Sequence, residues 1–118
     1  MRFALILAAA AALAAAGPAS AEFQKITDRA QFEQLVAGTP LTRLGIELSV
    51  TPSGDITGSA FGQPVRGQWT WEGSYFCRDL AWGDTDFGYN CQEVARNGNA
   101  LRFTSDRGAG RSAKLYLD

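Results

Sequence analysis

The stretch of residues 67–92 constrains this chain more than any other, because it holds all three tryptophans and both cysteines. Aromatic residues favour strands, and turn signals at Glu72-Gly73 and at residues 83–86 divide the stretch. We therefore predict three antiparallel strands that are held together by a disulfide between Cys77 and Cys91. In the chain-entropy model, closing a loop of about 15 residues stabilises the folded state by roughly 3 kcal/mol. Two free structural thiols are the alternative.

Residues 1–21 have the composition of a secretory signal peptide. Arg2 supplies a positive start, residues 4–16 are all apolar, and Ala19-Ser20-Ala21 offers the small residues of a cleavage site. A membrane-spanning helix needs about 20 apolar residues, so this run is too short for an anchor. We predict cleavage after Ala21 and a periplasmic or secreted chain of residues 22–118 that has no membrane span.

The composition of residues 22–118 excludes several classes of function. Without Arg2 the net charge is −2, which is too close to zero to attract nucleic acid or an anionic membrane. The chain contains no histidine, the commonest general base and metal ligand. We expect one small domain with no cofactor, no metal, no catalytic residues and no nucleic-acid partner.

The pattern of apolar residues predicts one helix followed by strands. Thr27 is a suitable N-cap, Phe32 and Val36 lie on one helical face, and Gly38 and Pro40 end the helix. After residue 41 the apolar period changes to two, and turn signals recur at short intervals. The expected fold is all-β: a seven-stranded antiparallel meander forming a small barrel or strongly curved sheet, with the N-terminal helix packed on it. The predicted strands are residues 41–50, 55–61, 65–71, 74–82, 87–96, 99–105 and 111–117.

Three turn assignments predict which residues face each other across the central hairpins. A Glu72-Gly73 turn pairs Trp69 with Phe76, direct pairing of the cysteines places Phe76 opposite Gln92, and an Asn97-Gly98 turn pairs residue 94 with residue 101. Residues directly opposite share a face. One face therefore collects the large apolar residues, namely Val65, Trp69, Trp71, Phe76, Leu80, Trp82, Val94, Leu101 and Phe103. The other face carries the disulfide and polar residues, among them Arg66, Tyr75, Asp79, Tyr89 and Glu93.

Arg78 and Asn90 are polar residues on the predicted apolar face, and the predicted register places them opposite each other. A guanidinium among aromatic rings can bind an anionic head group through hydrogen bonds and cation–π contact. Trp69, Phe76 and Trp82 would then line a ligand cavity like that of a lipocalin. In the alternative interpretation the rings form an ordinary core, since a small barrel is just wide enough for its own side chains, and Arg78 lies at the rim of the sheet.

A second candidate site is the glycine- and arginine-rich segment of residues 106–111. Its candidate contact residues are Arg107, Gly108, Gly110 and Arg111. Backbone N–H groups and guanidinium groups together suit a carboxylate or phosphate, so we expect a protein surface or an anionic envelope component as partner. A mobile hairpin loop is the alternative.

Two acidic patterns favour ordinary surface roles. Asp84, Asp86 and Asn90 are spaced like part of a calcium loop, but the later glutamate of such a loop is missing. Asp79 and Glu93 resemble the carboxylate pair of a glycosidase, but the predicted register pairs Asp79 with Arg66 instead. We expect Asp84 and Asp86 to lie in a solvated turn and Asp79 to form a surface ion pair.

Several segments carry a resemblance to a known family: GQWTW at residues 67–71, YFCRDL at 75–80, WG at 82–83, YNCQ at 89–92 and LRFTSDRGAG at 101–110. Nearly all of residues 22–118 is similar to a family of small exported proteobacterial proteins, functionally uncharacterised, many of which carry the automatic label dihydrodipicolinate reductase. The resemblance implies such a reductase as an alternative function. That activity needs a nucleotide-binding βαβ unit, yet the only G-x-G-x-x-A pattern, at residues 108–113, is followed by too few residues for one.

We expect a binding or interaction protein without catalysis of its own, whose partner is an unknown small ligand or an envelope protein. The other two alternatives are the reductase and an envelope enzyme-inhibitor module. The second is an analogy of fold, because small disulfide-stapled barrels can plug the clefts of enzymes such as lysozyme.

Overall fold

A computed structural model describes residues 22–118, and the predicted signal peptide of residues 1–21 lies outside the described part. These residues form nine strands and one α-helix, and a single 3-10 turn at Asp106–Gly108 lies between the last two strands. The elements in chain order are β1 (Gln24–Ile26), α1 (Arg29–Val36), β2 (Leu41–Arg43), β3 (Ile46–Val50), β4 (Asp55–Ala60), β5 (Gln63–Glu72), β6 (Tyr75–Trp82), β7 (Thr85–Asn97), β8 (Ala100–Thr104) and β9 (Ser112–Leu117).

Strands β2 to β9 close into an eight-stranded antiparallel barrel. Each strand pairs with the next, and the circle closes through two residue pairs between β2 and β9. Strand β1 adds to the C-terminal half of β7, where Lys25 lies opposite Ala95. The predicted all-β barrel with an N-terminal helix is therefore confirmed.

The strand number differs from the predicted seven for two local reasons. Strand β1 has only three residues, of which Ile26 alone is buried, so it shows no alternating pattern. The predicted strand of residues 41–50 is two strands, β2 and β3, joined by a tight turn at Leu44-Gly45. Leu44 fits the apolar alternation in the sequence, yet in the structure it is an exposed turn residue.

The central register is as predicted, and its two flanking hairpins are shifted by two residues. Cys77 lies opposite Cys91, to which it is disulfide-bonded. The β5–β6 and β7–β8 turns are Gly73-Ser74 and Gly98-Asn99, so Trp69 pairs with residue 78 rather than 76. Both glycines have a positive φ and occupy the first central position of the turn, which is the geometry of a type II′ turn. The prediction had placed each glycine at the second central position. Because side chains alternate between the two faces of a sheet, a register shift of two residues leaves every side chain on the face that was predicted for it.

The predicted apolar face is the inside of the barrel. Six of its nine residues are buried, and the other three, Trp71, Leu80 and Trp82, are partly buried and pack against them. Aromatic rings concentrate towards one end, where Trp69 and Phe76 lie 5.6 Å apart between ring centroids. Burial of these side chains supplies the main stabilisation of the fold.

Helix α1 covers one end of the barrel, which we call the closed end. Asp28, not Thr27, is its N-cap, and the Asp28 carboxylate accepts a hydrogen bond from the backbone N–H of Gln31 at 2.8 Å. Phe32 is fully buried among rings from β5, β6 and β8. Arg29 donates to the carbonyl oxygen of Pro52 in the β3–β4 turn. The opposite end, formed by the turns Leu44-Gly45, Phe61-Gly62 and Gly83-Asp84 and by residues 105–111, is the open end.

Candidate functional site

A partly open cavity of about 190 Å³, with a mainly apolar wall, lies inside the barrel. Phe76 lies on the side of the closed end, and the polar groups of the wall come from Arg78 and Gln92. The remaining lining residues are apolar: Leu41, Leu48, Val50, Ile56, Leu80, Phe103, Ala113 and Leu115. We call this the inner cavity.

A second cavity, of about 290 Å³, adjoins the inner one at the open end. The two share Leu48, Leu80, Ala113 and Leu115 as lining residues. This outer cavity reaches the surface, because its wall includes the exposed side chain of Phe61. An apolar passage thus runs from the middle of the barrel to its open end.

Exposed apolar side chains surround the open end. Leu44, Phe61 and Phe87 are 93%, 68% and 54% exposed, and they come from the β2–β3 turn, the β4–β5 turn and the start of β7. Phe61 has a φ of 52°, which is unusual for a bulky residue and is normally taken by glycine or asparagine. Arg43 and Lys114 add cations to the same wall.

Arg78 faces the inside of the barrel, as predicted, and is half-buried in the wall of the inner cavity. Within residues 22–118 it forms no ion pair, and its one hydrogen bond goes to the carbonyl oxygen of Gly88 at 3.2 Å. Burial removes water from the guanidinium and so lowers the pKa of Arg78, an effect that the neighbouring Asp79 partly offsets. The barrel therefore contains a partly desolvated cation without a carboxylate partner.

Asn90 lies opposite Arg78, as predicted, but its amide is engaged by the protein itself. The amide nitrogen of Asn90 donates to the Asp106 carboxylate at 2.8 Å, and the Asn90 oxygen accepts from the Asp106 backbone N–H at 2.9 Å. Gln92 likewise donates to the Ser105 hydroxyl at 3.2 Å. Because β8 ends at Thr104, these side chains tie β7 to the loop where no backbone ladder exists. Asn90 thus holds the loop against β7 and lines neither cavity.

The predicted aromatic residues lie in different parts of the barrel. Phe76 lines the inner cavity and Trp82 lines the outer one. Trp69 instead packs beneath α1, 5.4 Å from Phe32 between ring centroids, and its indole N–H donates to the carbonyl oxygen of Thr51. Trp69 is therefore part of the closed end rather than of the passage.

The predicted contact loop, residues 106–111, lies at the open end beside Asn90. Asp106 and Arg107 both have positive φ, and the Arg107 guanidinium lies 5.1 Å from the centroid of the Tyr75 ring. A Cβ atom added to Gly110 would lie 2.7 Å from the Asp106 carboxylate. Arg111 is exposed. A side chain at Gly110 would collide with Asp106, so the glycine is needed for the shape of the loop. Arg107 and Arg111 do not point into a common cavity.

The outer face carries the disulfide and a set of local polar contacts. Asp79 accepts a hydrogen bond from the backbone N–H of Gln68 at 3.0 Å and lies opposite Gln68, so the predicted pairing with Arg66 is wrong. Glu93 forms an ion pair with Lys25. No cluster of potential metal ligands occurs within residues 22–118.

Tyr89 also lies on the outer face and is exposed. Its hydroxyl donates to Glu72 at 2.9 Å. This hydrogen bond favours the neutral phenol and so raises the pKa of Tyr89. The contact is local to the surface and leaves the interior passage unaffected.

Arg78, Phe76 and Trp82, which line the two cavities, were predicted from the sequence as lining residues, whereas the open end was not predicted. Phe61 and Phe87 stand beside glycine-containing turns, and bulky apolar residues at such positions are a usable sequence signal. Arg43 carried no such signal, because its inward position depends on the turn at residues 44–45.

Comparisons with protein-family models, with curated proteins and with solved structures found no match for this chain. Within residues 22–118, none of the helical structure is both long and apolar enough to span a membrane.

Proposed function

We propose that this protein is an exported binding protein, periplasmic or secreted, that holds a small and largely apolar molecule inside its barrel and has no catalytic activity of its own. The observation that carries the proposal is the apolar passage from the inner cavity to the open end. Ligand pockets are typically 300–1,000 Å³ in volume, with apolar walls and a few polar groups. The two adjoining cavities suit a ligand at the small end of that range.

The main competing interpretation is a barrel filled by its own side chains, which is the usual case for eight strands. Here, small residues face inward at the open half. Ala60 lines the outer cavity and Ala113 lines both cavities. These two small side chains, beside the larger ones of Leu80 and Trp82, leave space at the open half where a ligand would enter.

The test is a titration with N-phenyl-1-naphthylamine, a neutral apolar probe whose fluorescence rises in apolar surroundings. We expect saturable binding of one probe per chain. The variant Ala113→Phe fills the passage and should abolish this binding, whereas Thr57→Phe, at an exposed position on β4, should leave it intact. Absence of binding to the native protein, or equal binding to both variants, would refute the proposal.

The reductase implied by the family resemblance and the enzyme-inhibitor module make different predictions. A reductase shifts the fluorescence of NADPH on binding, and an inhibitor lowers lysozyme turnover at stoichiometric amounts. We expect neither effect from the purified protein. Native mass spectrometry of the exported form tests for a co-purifying ligand directly.

A further inference from the structure

We infer that the ligand carries a single anionic group, that this group binds Arg78 in the middle of the barrel, and that the apolar remainder points to the open end. The inference rests on the proposed function, because it requires the passage to be a ligand site. The chemical class is a small amphipathic carboxylate or an equivalent anion.

The Arg78 guanidinium occupies an unfavourable position for a cation, because it is half-buried in a mainly apolar wall. Removing a cation from water is unfavourable unless an opposite charge and hydrogen bonds replace the lost hydration. Arg78 has one hydrogen bond, to a neutral carbonyl group, and no ion pair within the described chain. Four of the five guanidinium N–H donors therefore have no hydrogen-bond partner among residues 22–118. A carboxylate accepts two parallel N–H bonds from such a planar fork.

The surroundings of Arg78 determine the direction of the ligand. Gln92 is the other polar lining residue of the inner cavity, and its amide nitrogen is bound to Ser105. Every residue shared by the two cavities is apolar. An anion at Arg78 therefore has its polar contacts at one point, and an attached hydrocarbon group has a continuous apolar path past Leu48 and Leu115 to the open end.

The opposite orientation would place the anion at Arg43 and Lys114 in the wall of the outer cavity. Both of these residues are exposed, so their attraction to an anion is screened by water and salt. Arg78 is half-buried, where the effective dielectric constant is lower and the same charge interaction is stronger. The geometry favours Arg78, and the alternative makes a different prediction for an Arg43 variant.

The test compares decanoate with decanol as competitors of the bound naphthylamine probe. These compounds share a chain and differ in charge. We expect decanoate to bind the native protein more tightly than decanol. Arg78→Met should weaken decanoate binding by about 10- to 100-fold, as removal of a hydrogen-bonded charge contact does, and should change decanol binding less than threefold.

Two controls locate the anion. Arg66→Met removes an exposed arginine on β5 and should leave both affinities unchanged. Arg43→Met should also leave decanoate binding within threefold; a larger loss there with Arg78→Met unaffected would overturn the proposed direction. Arg78→Lys keeps the charge and loses the planar fork, so it should give an intermediate affinity for decanoate, and it replaces the Met variant if that variant does not fold.

A second measurement follows the ligand itself. In decanoate labelled with ¹³C at the carboxyl carbon, the NMR titration should give a lower carboxyl pKa when bound to the native protein than when bound to Arg78→Met. Equal pKa values, or equal affinities for decanoate and decanol, would overturn the inference and leave the binding function standing. If neither compound displaces the probe from a protein that binds it, the amphipathic class is wrong. If the probe itself does not bind, the proposed function fails.

Discussion

Replacing Phe32 by alanine should test whether α1 is an integral plug of the barrel. Phe32 is fully buried, and its ring centroid lies 5.1 to 6.4 Å from those of four aromatic residues on the strands. Val36 is the other fully buried residue of this eight-residue helix. An isolated helix of that length is not stable in water, so α1 depends on these contacts.

The expected loss can be derived from the packing. Phe→Ala substitutions in cores cost about 3–5 kcal/mol, and the cost is highest where neighbours cannot collapse into the hole. The four rings around Phe32 are anchored on three strands, β5, β6 and β8, and each aromatic pair contributes a further ~0.5–1.5 kcal/mol, which places the expected value in the upper half of that range. A domain of ordinary stability, 5–15 kcal/mol, would lose a large part of its total.

Urea unfolding followed by tryptophan fluorescence measures this loss, because Trp69 and Trp71 both contact Phe32. The matched control is Gln34→Ala, an exposed position on the same helix that should change the free energy of unfolding by less than about 0.5 kcal/mol. A loss below about 1 kcal/mol for Phe32→Ala would refute the reasoning, since the barrel end would then be stable without its plug.

Three further predictions concern the sheet. Replacing Cys77 and Cys91 together by serine should lower the free energy of unfolding by about 3 kcal/mol, because the disulfide closes a loop with a sequence separation of 14 residues. Urea unfolding of the variant and of the oxidised native protein measures the difference. Gly58→Ala should lower the free energy of unfolding by about 2–4 kcal/mol, because φ is 143° and the new Cβ would overlap a carbonyl oxygen of β3. Gly62→Ala, which has free space around the new Cβ, should lower it by only about 1 kcal/mol in the same assay. Phe61→Asn should raise the melting temperature or leave it unchanged, because asparagine tolerates the left-handed conformation at this turn; a clear decrease would mean that the exposed ring stabilises the fold.

Much of the fold could be predicted from the sequence, because an error of two residues in register does not change which side chains face the inside of the barrel. The turns at Gly73 and Gly98 were each misplaced by one residue, yet the resulting shift of two kept the tryptophans and Arg78 facing inward. Strand β1 could not be predicted, since its pairing with β7 depends on tertiary contacts of Ile26. Helix α1 was predicted from its apolar face, and its boundary was wrong by one residue at Asp28.

The candidate site could be predicted only in part. The pairing of Arg78 with Asn90 followed from the disulfide register and is confirmed. The capture of Asn90 by Asp106 depends on where β8 ends, and the separation of Trp69 from the passage depends on how α1 docks. Neither position has a local sequence signal, because both result from contacts between segments distant in the chain.

The closure between β2 and β9 has a consequence for the motion of the wall. Only Leu41 with Leu117 and Thr42 with Tyr116 are paired there, whereas β8 holds β9 through five residue pairs. Local unfolding requires least free energy where the fewest bonds break, so this seam should part before any other ladder of the barrel. Amide hydrogens along the seam should exchange with deuterium ahead of those between β6 and β7. Transient opening of this pairing beside Ala113 would widen the outer cavity and let larger molecules enter.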